Sequence, residues 1–194
     1  MAFIGLMSPG LLTMTTLNTA IDRGSKETVR FVFGAIIPIF FQAHIALLGA
    51  EYLKKHPEVI LSFSKFAVFF FFFLAVLFFC QYKQRHVQVK TLRLHIGNSF
   101  LYGMLVSALN PLAIPFYFTY STLLEMQGIL ALKEPYISIF VLSAMAGAFS
   151  ILYIYANHAH KLFSKVQFVA KHFKLILALV MLFLSFAAYF NAYR

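Results

Sequence analysis

The fold class expected from this sequence is an all-α integral membrane protein. It would have six transmembrane helices set as two inverted three-helix halves, with proline-interrupted first and fourth helices. Three observations lead there. The 194 residues are 61% hydrophobic and only 11% charged, where a soluble domain is about 45–50% apolar and about 25% charged. The 25 Phe and 10 Tyr exceed what a soluble core of this size can hide. The apolar residues also fall into six runs long enough to cross a bilayer, which takes about 20 helical residues.

The first run spans about 2–21 and contains Ser8-Pro9-Gly10. Proline removes a backbone donor and crowds the preceding turn, so this helix is expected to be broken there. The run begins directly at Ala2 with no basic lead and no small-x-small cleavage site, and reads as a retained helix rather than a signal peptide. A start upstream of Met1 stays open. A polar loop is expected over 22–30. The second run covers about 31–53 and ends at Lys54-Lys55-His56-Pro57-Glu58. The third covers about 59–82, holds five consecutive phenylalanines from Phe69 to Phe73, and is expected to face lipid. A basic connection follows. The fourth run, about 99–123, carries Asn110-Pro111 and Pro115. The fifth, about 136–156, carries the small pairs Ser143/Gly147, Ala144/Ala148 and Ala146/Ser150, whose spacing suits close helix packing and a central position. The sixth covers about 173–193.

Residues 1–82 would form the first half, 83–98 a basic cytoplasmic linker and 99–194 the second half. Three crossings per half invert the second relative to the first, the layout of many secondary transporters. Sidedness follows from the basic residues. Arg23, Lys26 and Arg30, then Lys83, Arg85, Lys90 and Arg93, then Lys161, Lys165, Lys171 and Lys174 follow the first, third and fifth runs. The opposite side has Lys54, Lys55, Lys133 and Arg194. The positive-inside rule places the richer side in the cytoplasm and both termini outside. It also accounts for the net charge of +10 without a nucleic-acid partner.

Few residues within lipid depth carry chemistry. His44 and Glu51 are seven residues apart, nearly two helical turns, and share a face. His44 reads either as a proton carrier or as a neutral imidazole hydrogen-bonded to a neighbouring helix. Glu51 reads either as its partner in proton coupling or as an interfacial group. Gln42 lies on a different face. Asn110, followed by proline, offers an amide and unwound carbonyls to a zwitterion. Ser8, Thr13, Asn18, Ser107, Tyr117 and Tyr120 add hydroxyls and amides, each of which also serves as helix-to-helix glue. Pro9, Gly10, Asn110, Pro111, Ser8 and Tyr117 form the expected substrate site. No nucleophile with a base, no phosphate loop and no zinc spacing occurs, so neither an enzyme nor a cofactor is expected. His158-x-His160 next to Lys161 reads as a solvated basic patch.

The motifs carry a resemblance. Pro9-Gly10, Arg23-Gly24 and Gly34, followed by Phe100-x-x-Gly103, Leu109-Asn110-Pro111-Leu112-Ala113 and Phe116, resemble the two signatures of the lysine-exporter (LysE) type translocator family. Where that family usually has a second proline after Pro-Gly, this chain has Leu11. The resemblance implies a multi-pass exporter of the bacterial inner membrane. Its substrate would be an amino acid or similar small metabolite, and its drive a cation gradient. Lipid and the solute are the expected partners, and a homo-oligomer stays open. A competing reading is a non-transporting membrane scaffold or a subunit of a larger complex. A third, an enzyme acting on lipid, would need His44 and Glu51 in an interfacial groove.

Overall fold

The computed structural model describes residues 10–83 and 97–193 and is helical wherever it is regular. Among these described residues six helices appear in this order: α1 (Leu11–Lys55), α2 (Ile60–Lys83), α3 (Ser99–Ala108), α4 (Ala113–Met126), α5 (Tyr136–Asn157) and α6 (Ala159–Tyr193). A short 3-10 turn, Pro57–Val59, separates α1 from α2. No strand occurs among the described residues. The chain divides into two compact units, one of Met1–Tyr52 with Val89–Gln167 and the other of Leu53–Gln88 with Phe168–Arg194.

Among the described residues α1 and α5 are long and apolar enough to cross a membrane. The pair α3 and α4, bent by 60° at its break, makes a third candidate span. Shorter apolar stretches run over Lys65–Cys80 in α2 and Leu175–Phe190 in α6.

Two expected loops are helical instead. The polar stretch 22–30 lies within α1, and its only departure is Gly24, at φ 80° and ψ 170°. That region of backbone space belongs to glycine, because a Cβ would clash there. One residue therefore does the work expected of a loop. The Thr28 hydroxyl donates to the Gly24 carbonyl at 2.8 Å, tying down the turn that follows. The basic stretch after α5 is likewise helical, beginning at Ala159, with His158 alone as the joint. Lys, Ala, Leu, Phe and Val favour or tolerate a helix, and no Pro or Gly interrupts this run.

The core of the first unit is built on α1. Leu12 to Leu17 are all buried. The four threonines Thr13, Thr15, Thr16 and Thr19 are buried on this part of α1. Thr15, Thr16 and Thr19 donate to the carbonyls of Leu11, Leu12 and Thr15 at 2.7–2.8 Å, so these hydroxyls enter the core already satisfied. The expectation of a central fifth helix is corrected here. In the most apolar window of α1 56% of residues are buried, against 33% for α5. On α5 the Ala144/Ala148 row is buried, while Ser143, Ala146 and Ser150 are exposed. The exposed serines bond back to Ile139 and Ala146 at 2.8 Å.

Helices α1 and α3 of the first unit approach backbone to backbone at two glycines. A Cβ added to Gly34 would lie 1.9 Å from the Phe100 carbonyl oxygen, and one added to Gly103 would lie 2.0 Å from that of Phe31. Each Phe-x-x-Gly segment thus places its glycine under the other's phenylalanine carbonyl. Small residues allow this backbone-to-backbone contact in apolar surroundings. Phe31 and Tyr102 meet edge to face at 5.4 Å beside it.

In the second unit the phenylalanine face of α2 is exposed at Phe66, Phe69, Phe72, Phe73 and Phe79, as a lipid-facing helix requires. Leu74 and Ala75 are buried, and the Ser185 hydroxyl donates to the Val68 carbonyl at 3.0 Å.

Candidate functional site

The site begins with a proline. In an uninterrupted helix the Ser107 carbonyl would accept from the N–H of residue 111, but Pro111 has none. The Ala108 carbonyl would accept from Leu112, whose N–H is instead held by Asn110 Oδ1 at 3.3 Å. Helix α3 therefore ends at Ala108, and α4 restarts at Ala113 after the 60° bend. Pro115 falls in the first turn of α4, where a missing donor is harmless.

The freed carbonyls are recovered by α1. Gln42 Nε2 donates to the Ser107 carbonyl at 3.1 Å and to that of Ala108 at 3.4 Å. The Asn110 N–H adds a second bond to Ser107, at 3.1 Å. Gln42 is 8% exposed and Ser107 1%. In apolar surroundings freed backbone groups must find such partners. The Gly34–Phe100 and Gly103–Phe31 contacts lie at the same α1–α3 crossing and hold the amide within reach.

The expected site residues are placed as follows. Ser8 and Pro9 lie outside the described residues. Gly10 precedes α1 and its carbonyl accepts from the Met14 N–H at 3.0 Å. Asn110 is half-buried in the break and acts through Oδ1 as a local cap, while Pro111 is exposed. Tyr117 is buried in α4 at 5% exposure, its ring 5.4 Å from that of Phe116. His44 sits apart from Gln42, beside Phe40 at 5.6 Å, on the side of α1 that exposes Phe40, Phe41, Ile45 and Leu48. Its Nδ1 is buried with no hydrogen-bond partner, so the expected bond to a neighbouring helix is not made there. Glu51 is half-buried two turns on. The break thus gathers Asn110 and Pro111 with Ser107 and Gln42, and leaves His44 on the other face.

Gln42 is the residue that sequence reasoning passed over. A proline in a buried helix frees a carbonyl four residues back, and an isolated amide in a neighbouring apolar helix is the donor suited to it.

A second polar cluster stands at the Gly24 turn. Arg23 donates to the Ser99 hydroxyl at 3.4 Å and lies over the Tyr102 ring at 5.7 Å. Arg30 and Glu27 pair at 2.6 Å, and Ser25 donates to Asn157 Oδ1 at 3.1 Å. These contacts fix the turn against α3 and α5. An apolar recess lined by Phe33, Ile36, Ile37, Phe100, Met145, Ala146 and Phe149 contains none of the expected site residues.

Membrane-length apolar helices mark an integral membrane protein, and a pair broken in mid-run with its carbonyls tended from a neighbour is a feature that recurs in secondary transporters. The family model of the LysE type translocator matches residues 3–194, and the chain belongs to that family. No curated protein matches the chain, and no solved structure does.

Proposed function

We propose that this protein is a secondary transporter that exports amino acids or similar small metabolites across the bacterial inner membrane, coupled to a cation gradient. The observation that carries this reading is the break between α3 and α4, bent by 60° within an apolar run. An unwound segment at membrane depth is tolerated where protein or a water-filled cavity covers it, and it presents both helix ends to a solute. Family membership supports the transport class. In this reading six crossings form two inverted halves, residues 1–82 and 99–194, joined by the basic linker 83–98. The solute is bound by Ser8, Pro9, Gly10, Asn110, Pro111 and Tyr117, and one half rocks against the other. His44, with Glu51, carries the coupling proton.

Efflux tests it. Cells with and without the protein are loaded with amino acids as dipeptides, and the medium is assayed by mass spectrometry. One amino acid leaving faster with the native protein is the expected result. Asn110→Ala, at matched membrane abundance, is expected to lose about tenfold or more of that rate, the cost of a hydrogen bond or more at the site. Asn110→Asp retains the capping oxygen and separates loss of the cap from loss of the amide. His44→Ala is expected to abolish dependence on the pH gradient. Equal efflux with and without the protein across amino acids and related metabolites would remove the exporter reading.

A further inference from the structure

Two buried polar atoms beside the helix break have no hydrogen-bond partner: Gln42 Oε1 and Ser107 Oγ. A serine hydroxyl within a helix usually bonds the carbonyl one turn back, as Ser143 and Ser150 do here. Ser107 does not. The Gln42 amide holds α3 through Nε2 alone, which leaves its oxygen open beside the same carbonyls. Open buried acceptors are costly, and two at one place point to a guest.

The surroundings select the guest. The cluster comprises an amide oxygen, a hydroxyl and the last carbonyls of α3, which form the negative end of a half-helix. Its only spare proton is the hydroxyl's, and that can rotate away. An anion would face the acceptor oxygens of this cluster. A divalent ion would need carboxylates to replace its hydration, and no group of three His, Cys, Asp or Glu side chains suited to a metal occurs among the described residues. Neutral oxygens at a half-helix C-terminus suit a single positive charge.

We infer that Gln42 Oε1, Ser107 Oγ and the adjoining carbonyls of α3 form a seat for a monovalent cation, either a free sodium ion or the ammonium group of the transported solute. The second source rests on the exporter reading; the first does not.

The test is thermal unfolding of the purified full chain in detergent, in sodium chloride, methylammonium chloride and choline chloride at equal ionic strength. The expected result is a saturable rise in Tm, relative to choline, with sodium or with methylammonium, and the active salt names the source. Ser107→Ala, which removes only the unpartnered hydroxyl, is expected to weaken the midpoint by about tenfold. Gln42→Glu puts a carboxylate at the same place and is expected to tighten it by about as much. A site that merely holds water would respond to neither salt. Equal Tm in all three salts would overturn the inference, as would a rise that both variants leave unchanged. Should Gln42→Glu fail to fold, Ser107→Ala decides alone. Cation binding without efflux would remove the exporter reading only, and efflux without a cation response would remove the seat only.

Discussion

Gln42 holds the broken helix by supplying the donor that Pro111 withholds, and its replacement should expose that dependence. Gln42→Leu keeps the volume and the apolar character of α1 but leaves the Ala108 carbonyl without its side-chain donor and the Ser107 carbonyl with the Asn110 N–H alone. The expected cost is about 1–3 kcal/mol, read as a lower Tm of the purified protein. An unchanged Tm would mean that the carbonyls find other partners. Gly24 is the other residue on which the backbone depends. At φ 80° and ψ 170° any side chain is strained, so Gly24→Ala should cost about 1–3 kcal/mol, although open space surrounds the position. The two cases differ in how they show in the sequence. Arg23-Gly24 stands out inside a polar stretch and marks a turn by itself. Gln42 carries no such mark, because its role exists only once α3 lies against α1.

Where α1 crosses α3 the backbones touch at two glycines, which should act as one unit. Gly34→Ala and Gly103→Ala each push a methyl group into the partner's backbone carbonyl, an overpacking expected to cost about 1–3 kcal/mol apiece. Once either has parted the helices, the second meets less resistance. The double variant should therefore lose less stability than the sum of the singles, a coupling measurable by a double-mutant cycle. Strict additivity would show that the two contacts are independent. The turn between α1 and α2 carries a pH signal of its own. Its own backbone N–H, followed by His56 at 2.9 Å, holds the Glu58 carboxyl below the ordinary glutamate range. A lowered folded-state value means that the stabilisation is present above the ordinary value and fades as pH falls through the folded one. Comparison of Tm at about pH 6 and about pH 3 should show a small acid loss that Glu58→Gln reduces. The boundaries of α2 and α5 were legible as apolar runs ended by Lys, Pro and Asn. The loops expected at 22–30 and after α5 were not loops, because charge in a helix was read as a break in it.

Across the whole molecule, the distribution of lysine and arginine implies an orientation that can be checked directly. With Cys80 replaced by serine, a single cysteine at exposed Lys133 should react with an impermeant thiol reagent from outside intact cells. One at exposed Lys26 should react only after the membrane is opened. The reverse pattern would invert the topology without altering the helices.

Membrane residence, the family and the helical class were all determined by the sequence alone. Apolar content of 61% places the chain in lipid, where only helices and closed barrels satisfy the backbone; the long apolar runs select helices, and the Pro-Gly and Asn-Pro motifs are local facts about the backbone. Tertiary structure alone decided which side chains answer those motifs. Gln42 stands 65 residues from Ser107, Gly34 fits only against Phe100, and His44 turns away from both. Such pairings depend on how two helices rotate and cross. That choice is set by packing along their whole length, and no periodicity within either helix encodes it.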